Sequence, residues 1–494
     1  MWGGKYSYLG TLVSIYLYAF AANGNTIRLG VARRAPYRKA KYAMMTFDRS
    51  RVAALMERER ATFRQRHARS GQLAEAAKRS LLFGVPMNWM TRWPGDHAVY
   101  VDRAAGARFW DVDGNEFIDL CLGDTGGMAG HAPRATVDAI ARQAGKGFTL
   151  MLPTEDATWV GNEMARRFGV PYWQFTLSAT DANRCAIRWA REITQRPKIV
   201  VHNWCYHGSV DETVAILENG RTVARQGNIG KPVSLDQTTR VVEINDLAAL
   251  EAALAHGDVA ACLFEPALTN IGIVLPDAGY HAVVRELCTR YGALLIIDET
   301  HTISAGPGGC TEAWGLEPDF VTIGKTLGAG IASGAYGMTE RVRKMVYEHT
   351  DSRNADVGGI GGTLAGNALS LAAMRATLGQ VMTDQVFEQM IALGERFEQG
   401  VRGVIDSRGL PWHVVRLGCR VEYLFRPEVA RNGAEAAAGQ DERLDPYIHL
   451  YLLNRGILMT PFHNMALMSP ATTAADVDRH TQVFAEMADE LIRA

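Results

Sequence analysis

Between residues 173 and 324 the chain alternates apolar runs too short for helices with longer amphipathic runs, and few folds accept that order. WQFTLS precedes ANRCAIRWAREIT; KIVVHN follows; TRVVEI precedes DLAALEAALAH; VAACLFEP precedes HAVVRELCTRYG; ALLIIDET and DFVTIG close the series. Continuous apolar strands separated by amphipathic helices predict a mainly parallel sheet covered on both faces, an α/β fold. In such sheets ligands collect beyond the carboxyl ends of the strands. The flanks read differently. Residues 47 to 82 are charged and helical, and residues 98 to 120 alternate apolar and polar around a DGN turn signal, which predicts a small antiparallel unit. From about residue 376 the pattern turns helical, then gives short strands in WHVVRLGCRVEYLF, a polar surface loop in RNGAEAAAGQDERLD, and two closing helices.

Charge and cysteine usage exclude several function classes. A formal net charge of -1 over 494 residues leaves no basic footprint for nucleic acid or an anionic membrane. The 7 cysteines form no CxxC pair and sit mostly inside apolar runs, which argues against a disulfide framework and a zinc site and fits a reducing, cytoplasmic setting. No metal is expected. The first 47 residues contain no Asp or Glu. Their apolar half, LGTLVSIYLYAFAA, is signal-like but short for a membrane span, and their basic half is transit-like. Met44 and Met45 stand just before the first acidic residue, so residues 1–45 are read as an extension outside the working protein.

The residues after each apolar run carry the chemistry. They are Ser178, Ala179, Thr180 and Asp181; Tyr206, His207 and Gly208; Glu265; Asp298, Glu299 and Thr300; and Lys325 within TIGKTLGAG. Taken singly, each is ordinary: an Asp after a strand caps a helix, a His or Tyr fills a core, and a glycine run is a turn. Together they suit one cofactor. A pyridine aldehyde phosphate needs an amine, which Lys325 supplies, and a carboxylate at the ring nitrogen, which Asp298 supplies. It also needs an aromatic face, Tyr206, and a helix start for the phosphate, SATDAN.

These segments resemble the class III aminotransferases of the fold type I pyridoxal phosphate enzymes, in the glutamate-1-semialdehyde aminomutase-like branch, over nearly everything from residue 70 onward. FTLSATDAN is similar to the family's phosphate turn, WCYHGS to its ring-stacking motif, LFEP to its Glu-Pro strand end, LLIIDET to its ring-nitrogen strand and TIGKTLGAG to its Schiff-base segment. The resemblance implies pyridoxal 5'-phosphate as cofactor, with Lys325 and Asp298 catalytic. It implies cofactor contacts from Ser178, Ala179, Thr180, Tyr206, His207, Glu265 and Thr300, and from Thr363 of GGTLAGNALS across a homodimer. It further implies a seven-stranded sheet in a large domain, 122–375, and a small α+β domain from both chain ends, 46–121 and 376–494. Asp181 stands where the family commonly has Glu and serves either the cofactor or the helix dipole. His301 reads as a buried, hydrogen-bonded histidine beside Thr300.

Substrate choice is expected from GVPMNWMTRWPG, LGDTGGMAGHAP and TPFHNMALMSP, with Trp89, Asp124 and His463 as the candidate substrate residues. Asp124 is either a substrate-facing carboxylate that repels a substrate carboxylate or a turn contact. No Arg or Lys lies between Gly456 and Ser469, so a grip on a carboxylate falls to Arg416 or Arg420 or is missing. The expected activity is amino transfer from a small amine or amino acid to a keto acid or aldehyde through a Lys325 Schiff base. An aminomutase is the alternative, and a non-catalytic cofactor-binding protein the remote one.

Overall fold

The computed structural model describes residues 47–231, 233–351 and 356–493, so the expected extension, 1–45, lies outside the described residues. The alternating region forms one seven-stranded sheet. Its strands are β1 (Tyr172–Thr176), β2 (Lys198–His202), β3 (Thr239–Val242), β4 (Val259–Phe264), β5 (Leu294–Asp298), β6 (Phe320–Ile323) and β7 (Gly334–Met338). The order across the sheet is β1-β7-β6-β5-β4-β2-β3. All pairs are parallel except those of β7, which runs antiparallel to both β6 and β1. Every residue of β4, β5 and β6 is buried, as expected for strands covered on both faces. β7, GAYGM, carries too few β-branched residues to announce itself as a strand. Gly337 is needed there because a Cβ would stand 2.5 Å from the Trp173 ring on β1.

Helix α1 (Ala179–Thr194) packs its apolar face, Ala182, Cys185, Ala186, Trp189, Ala190 and Ile193, into the sheet's core. Ser178 caps it by accepting from the Asp181 N–H at 3.2 Å, and Gln195 ends it in a left-handed conformation. The chain therefore leaves β1 and starts a helix within a few residues, at the carboxyl edge of the sheet.

The two flanks of the chain share a sheet. Val101–Ala105, Arg108–Asp111 and Glu116–Asp119 form an antiparallel meander, and the late strand Ile457–Leu458 adds parallel to Glu116–Asp119. Asp111 fixes the DGN turn by accepting from the N–H groups of Asp113 and Asn115. A second, three-stranded sheet joins His413–Leu417, Arg420–Leu424 and Met465–Leu467. The expected surface loop at 431–445 differs from the structure. Asn432 caps a short helix, Gly433–Ala437, and Leu444 already begins the helix Leu444–Leu453. The alanines that make the stretch look featureless are good helix formers once a cap is supplied. All 7 cysteines are buried and unpaired.

Candidate active site

A cleft of about 280 Å³ opens at the carboxyl edge of the sheet. Ser178, Ala179 and Thr180 from α1, Tyr206 and His207 after β2, Asp298 and Thr300 at the end of β5, and Lys325 after β6 all line it, together with Trp89 and His301. These residues are far apart in sequence and meet because parallel strands end on one edge. Glu265, Thr363, Asp124 and His463 do not line the cleft itself.

Backbone geometry brings the walls close. Gly324 ends β6 so near α1 that a Cβ there would lie 2.6 Å from the Ala179 nitrogen, and a Cβ on Gly208 would lie 2.0 Å from Thr180 Oγ1. Lys325 itself has φ 56, the left-handed region that a side chain rarely adopts. Its Nζ donates to Asp124 Oδ2 at 3.1 Å and meets His301 Nε2 at 2.8 Å.

Asp298 is held from three sides. Oδ1 accepts from the Thr300 N–H at 3.0 Å, and Oδ2 accepts from Asn183 Nδ2 at 2.8 Å and from His207 Nδ1 at 2.9 Å. Burial pushes its carboxyl up, but the bond and charge of His207, with Thr300 and Asn183, outweigh burial and hold it below the usual range. Burial opposes a charge on His207, yet the Cys205 sulfur and the Asp298 carboxylate hold its pKa well above the ordinary value. A carboxylate fixed in its charged form is the group that favours a protonated ring nitrogen. Tyr206 offers its ring face, and burial next to Asp124 pushes its hydroxyl up to about 12.

The remaining expected residues sit around this frame. Glu265 is fully buried, donates nothing to the cleft, and accepts from the Thr269 hydroxyl; burial pushes its carboxyl up to about 7. Asp181 receives the Ser178 hydroxyl at 2.8 Å, so it braces the helix cap. His463 is buried just ahead of the strand Met465–Leu467, its Nδ1 3.3 Å from Glu422 Oε1. Thr363 is exposed. Arg416 pairs with Glu398, whereas fully buried Arg420 donates to Asp124 Oδ1 at 3.3 Å. Sequence reasoning missed Asn183, a polar residue on the apolar face of α1, which is the signal that could have found it. It also undervalued His301, which is buried and bonded as expected but bonded to Lys325.

The residues fit pyridoxal 5'-phosphate. The first N–H groups of α1, beyond the one Ser178 takes, have no partner within the helix and face a turn kept open by two glycines. Thr300 Oγ1 is buried on the cleft wall without a hydrogen-bond partner. An amine, an anchored carboxylate and an aromatic face complete the donor set.

Comparison with known proteins agrees. The family model for aminotransferase class-III matches residues 90–487. The chain is 34% identical over 392 residues to a glutamate-1-semialdehyde 2,1-aminomutase of Sorangium cellulosum, covering 78% of this chain and 88% of that protein. The crystal structure of a glutamate-1-semialdehyde-aminomutase from Pseudomonas aeruginosa PAO1 superposes with a TM-score of 0.89 at 50% identity, over 90% of this chain and 100% of that one, and a variant of it was solved in complex with PMP. An omega-transaminase from Sphaerobacter thermophilus superposes at 0.77 with 25% identity, over 85% of this chain and 97% of that one. The chain therefore belongs to the class III aminotransferases, enzymes of fold type I that use pyridoxal 5'-phosphate and act on small-molecule amine and keto substrates.

Proposed function

We propose that the protein moves an amino group from a small amine or amino acid to a keto acid or aldehyde, with Lys325 as the residue that bonds the cofactor and then serves as proton carrier. The placement of the Lys325 amine in one cleft with the anchored Asp298 carboxylate is the observation that carries this reading. When bound, pyridoxal 5'-phosphate supplies an aldehyde carbon for amine exchange and a conjugated ring that accepts electrons. Asp298 would hold a proton on the ring nitrogen, Tyr206 and Thr300 would confine the ring, and Ala179 and Thr180 would bind the phosphate with backbone N–H groups and a hydroxyl. Lys325 would take a proton from the substrate carbon and return it elsewhere, acting as general base and then acid.

The substrate side favours donors with weak demand for an α-carboxylate. Among the described residues no arginine lines the cleft, Arg416 is held by Glu398, and Arg420 is enclosed against Asp124. Trp89 lines the cleft, its ring 5.4 Å from Tyr206 and 5.5 Å from Phe462. A second reading is favoured by the relatives themselves: two similar proteins at 34% and 50% identity carry the aminomutase name, and that reaction needs the same residues.

A homodimer is part of the proposal, with Thr363 reaching the partner's phosphate site. Leu364, beside Thr363, is exposed, as are Phe148, Leu150, Met151 and Leu152, and the Phe148 carbonyl accepts from the Leu369 N–H at 3.3 Å. Such a concentration of bare apolar side chains suits burial by a second copy. No helix among the described residues is long and apolar enough to cross a membrane.

The test is a donor half-reaction. Cofactor-loaded protein is mixed with α-amino acids, β-amino acids, diamines and carboxylate-free amines while its visible absorbance is followed. Bleaching by one class, restored by an added keto acid, supports transfer between molecules. Conversion of a single amino aldehyde with no separate acceptor supports the aminomutase; a loaded protein that no substrate of either kind affects would sink both.

A further inference from the structure

Two side chains touch the Lys325 amine, and amino transfer as outlined above does not account for either. Behind Asp124 and His301 the contacts close into a ring. Arg420 donates to Asp124 Oδ1 at 3.3 Å and to Thr125 Oγ1 at 3.2 Å, and Thr125 Oγ1 lies 2.9 Å from His301 Nδ1. Lys325 completes the circuit between His301 Nε2 and Asp124 Oδ2. A protonated Lys325 only donates, so in a neutral imidazole Nε2 accepts from it at 2.8 Å and Nδ1 carries the hydrogen, directed at Thr125 Oγ1 at 2.9 Å; Arg420 Nη1, 3.3 Å from Nδ1, then gives its hydrogen to Thr125.

The fold meets a real cost to build this arrangement. Leu122, Gly123, Asp124 and Thr125 have φ of 47, 56, 50 and 82, so three residues with side chains stand in the left-handed region, which side chains disfavour. Arg420 is wholly buried, and a buried guanidinium is costly unless paired. A plain ion pair would explain Asp124 against Arg420. It would explain neither a neutral imidazole set with its acceptor nitrogen on a lysine amine nor the strained loop that supports it.

We propose that Asp124 and His301 are the proton-handling pair of Lys325: Asp124 holds the free side chain in its protonated form, and His301 Nε2 removes that proton to leave a neutral amine ready to attack a carbonyl carbon. In this step the Nζ–H bond breaks, its electrons stay on Nζ as a lone pair, and the Nε2 lone pair forms the new N–H bond. The positive charge moves from Lys325 to His301, where Asp124 Oδ1, 3.7 Å from Nδ1, faces it. Burial holds the His301 pKa well below its ordinary value, so once the charge has left Lys325 the imidazolium passes its proton on to water in the cleft it lines. The charged and titratable groups around the pair are Arg420 behind it, Tyr206, Asp298 and His207 along the cleft, and His463, which adds to the field on Asp124. The inference rests on Lys325 being the cofactor-bonding residue and is independent of which amine the enzyme uses.

Recombination of the cofactor-stripped, full-length protein with pyridoxal 5'-phosphate tests it, followed by the visible absorbance that appears as Lys325 condenses with the aldehyde. No amine donor takes part, so this result stands apart from the donor panel. Near neutral pH, His301→Gln is expected to recombine on the order of tenfold more slowly than the parent, a loss at or below the usual general-base contribution. Added imidazole, or a pH high enough for hydroxide to deprotonate Lys325, should restore its rate. Asp124→Asn is expected to do the opposite and recombine faster than the parent at low pH. A His301→Gln protein as fast as the parent at neutral pH, or equally slow at every pH and deaf to imidazole, overturns the assignment. So does an Asp124→Asn protein that is slower at low pH.

Discussion

Each reactive side chain in the cleft owes its state to a neighbour. Asp298 keeps its charge in a buried site because His207, Thr300 and Asn183 bond it. Asp298→Asn should leave cofactor binding measurable by absorbance yet slow the donor half-reaction on the order of a hundredfold or more, because an amide cannot hold the ring nitrogen protonated. Glu265 makes a separate prediction in pH. Its carboxyl is pushed up by burial to about 7 from an ordinary 4.5. The folded protein therefore keeps a proton that the unfolded chain releases, so stability is lost as pH rises from about 4.5 to about 7 and is level above that, by roughly 3 kcal/mol at most. Glu265→Gln should flatten this slope in denaturant titrations at pH 5 and 8; an unchanged slope would place the proton elsewhere. Lys325, Asp298, Tyr206 and the Ser178 turn were legible in the sequence because each stands at or shortly after the end of a strand-like run, and those of β2, β5 and β6 are rich in apolar residues. The ring around Lys325 was not. Arg420 lies on a strand of another sheet, 296 positions from Asp124, and nothing local says that Leu122 to Thr125 will turn left-handed.

At the scale of elements, the site depends on how closely the β6 end, the α1 start and the loop after β2 approach one another. Gly208, at φ +81, is where that approach is tightest, with Thr180 Oγ1 2.0 Å from the place of a Cβ. Gly208→Ala should weaken pyridoxal 5'-phosphate binding on the order of tenfold or more in a cofactor titration, by both backbone strain and displacement of Thr180. Gly161, in a helix and with nothing within 4 Å of its Cβ position, is the control expected to tolerate alanine. The strand and helix alternation was readable because the buried parallel strands are continuous in apolar residues. β7 was not, since Gly337 answers to the Trp173 ring and Gly334 to the Ser178 backbone, and neither to strand propensity. The helix at Gly433–Ala437 escaped for the converse reason, its cap Asn432 reading as a turn residue.

For the molecule as a whole, strands on both sides of the large sheet's segment share one sheet, Ile457–Leu458 lying parallel to Glu116–Asp119. The exposed apolar segments and Thr363 lead to an expected dimer in sedimentation equilibrium, with Thr363→Ala lowering cofactor affinity while leaving the dimer intact. A monomer with full cofactor affinity would remove the partner from the site. The proposed amino transfer turns on Lys325 as the residue that bonds the cofactor and gives way to an incoming amine. Borohydride reduction of the loaded protein, with and without an effective donor, followed by peptide mass mapping, reads this directly. The expected result is a pyridoxyl group fixed on the Lys325 peptide without donor and absent from it after donor. A group fixed on another lysine, or one retained on Lys325 whatever amine is supplied, would contradict it.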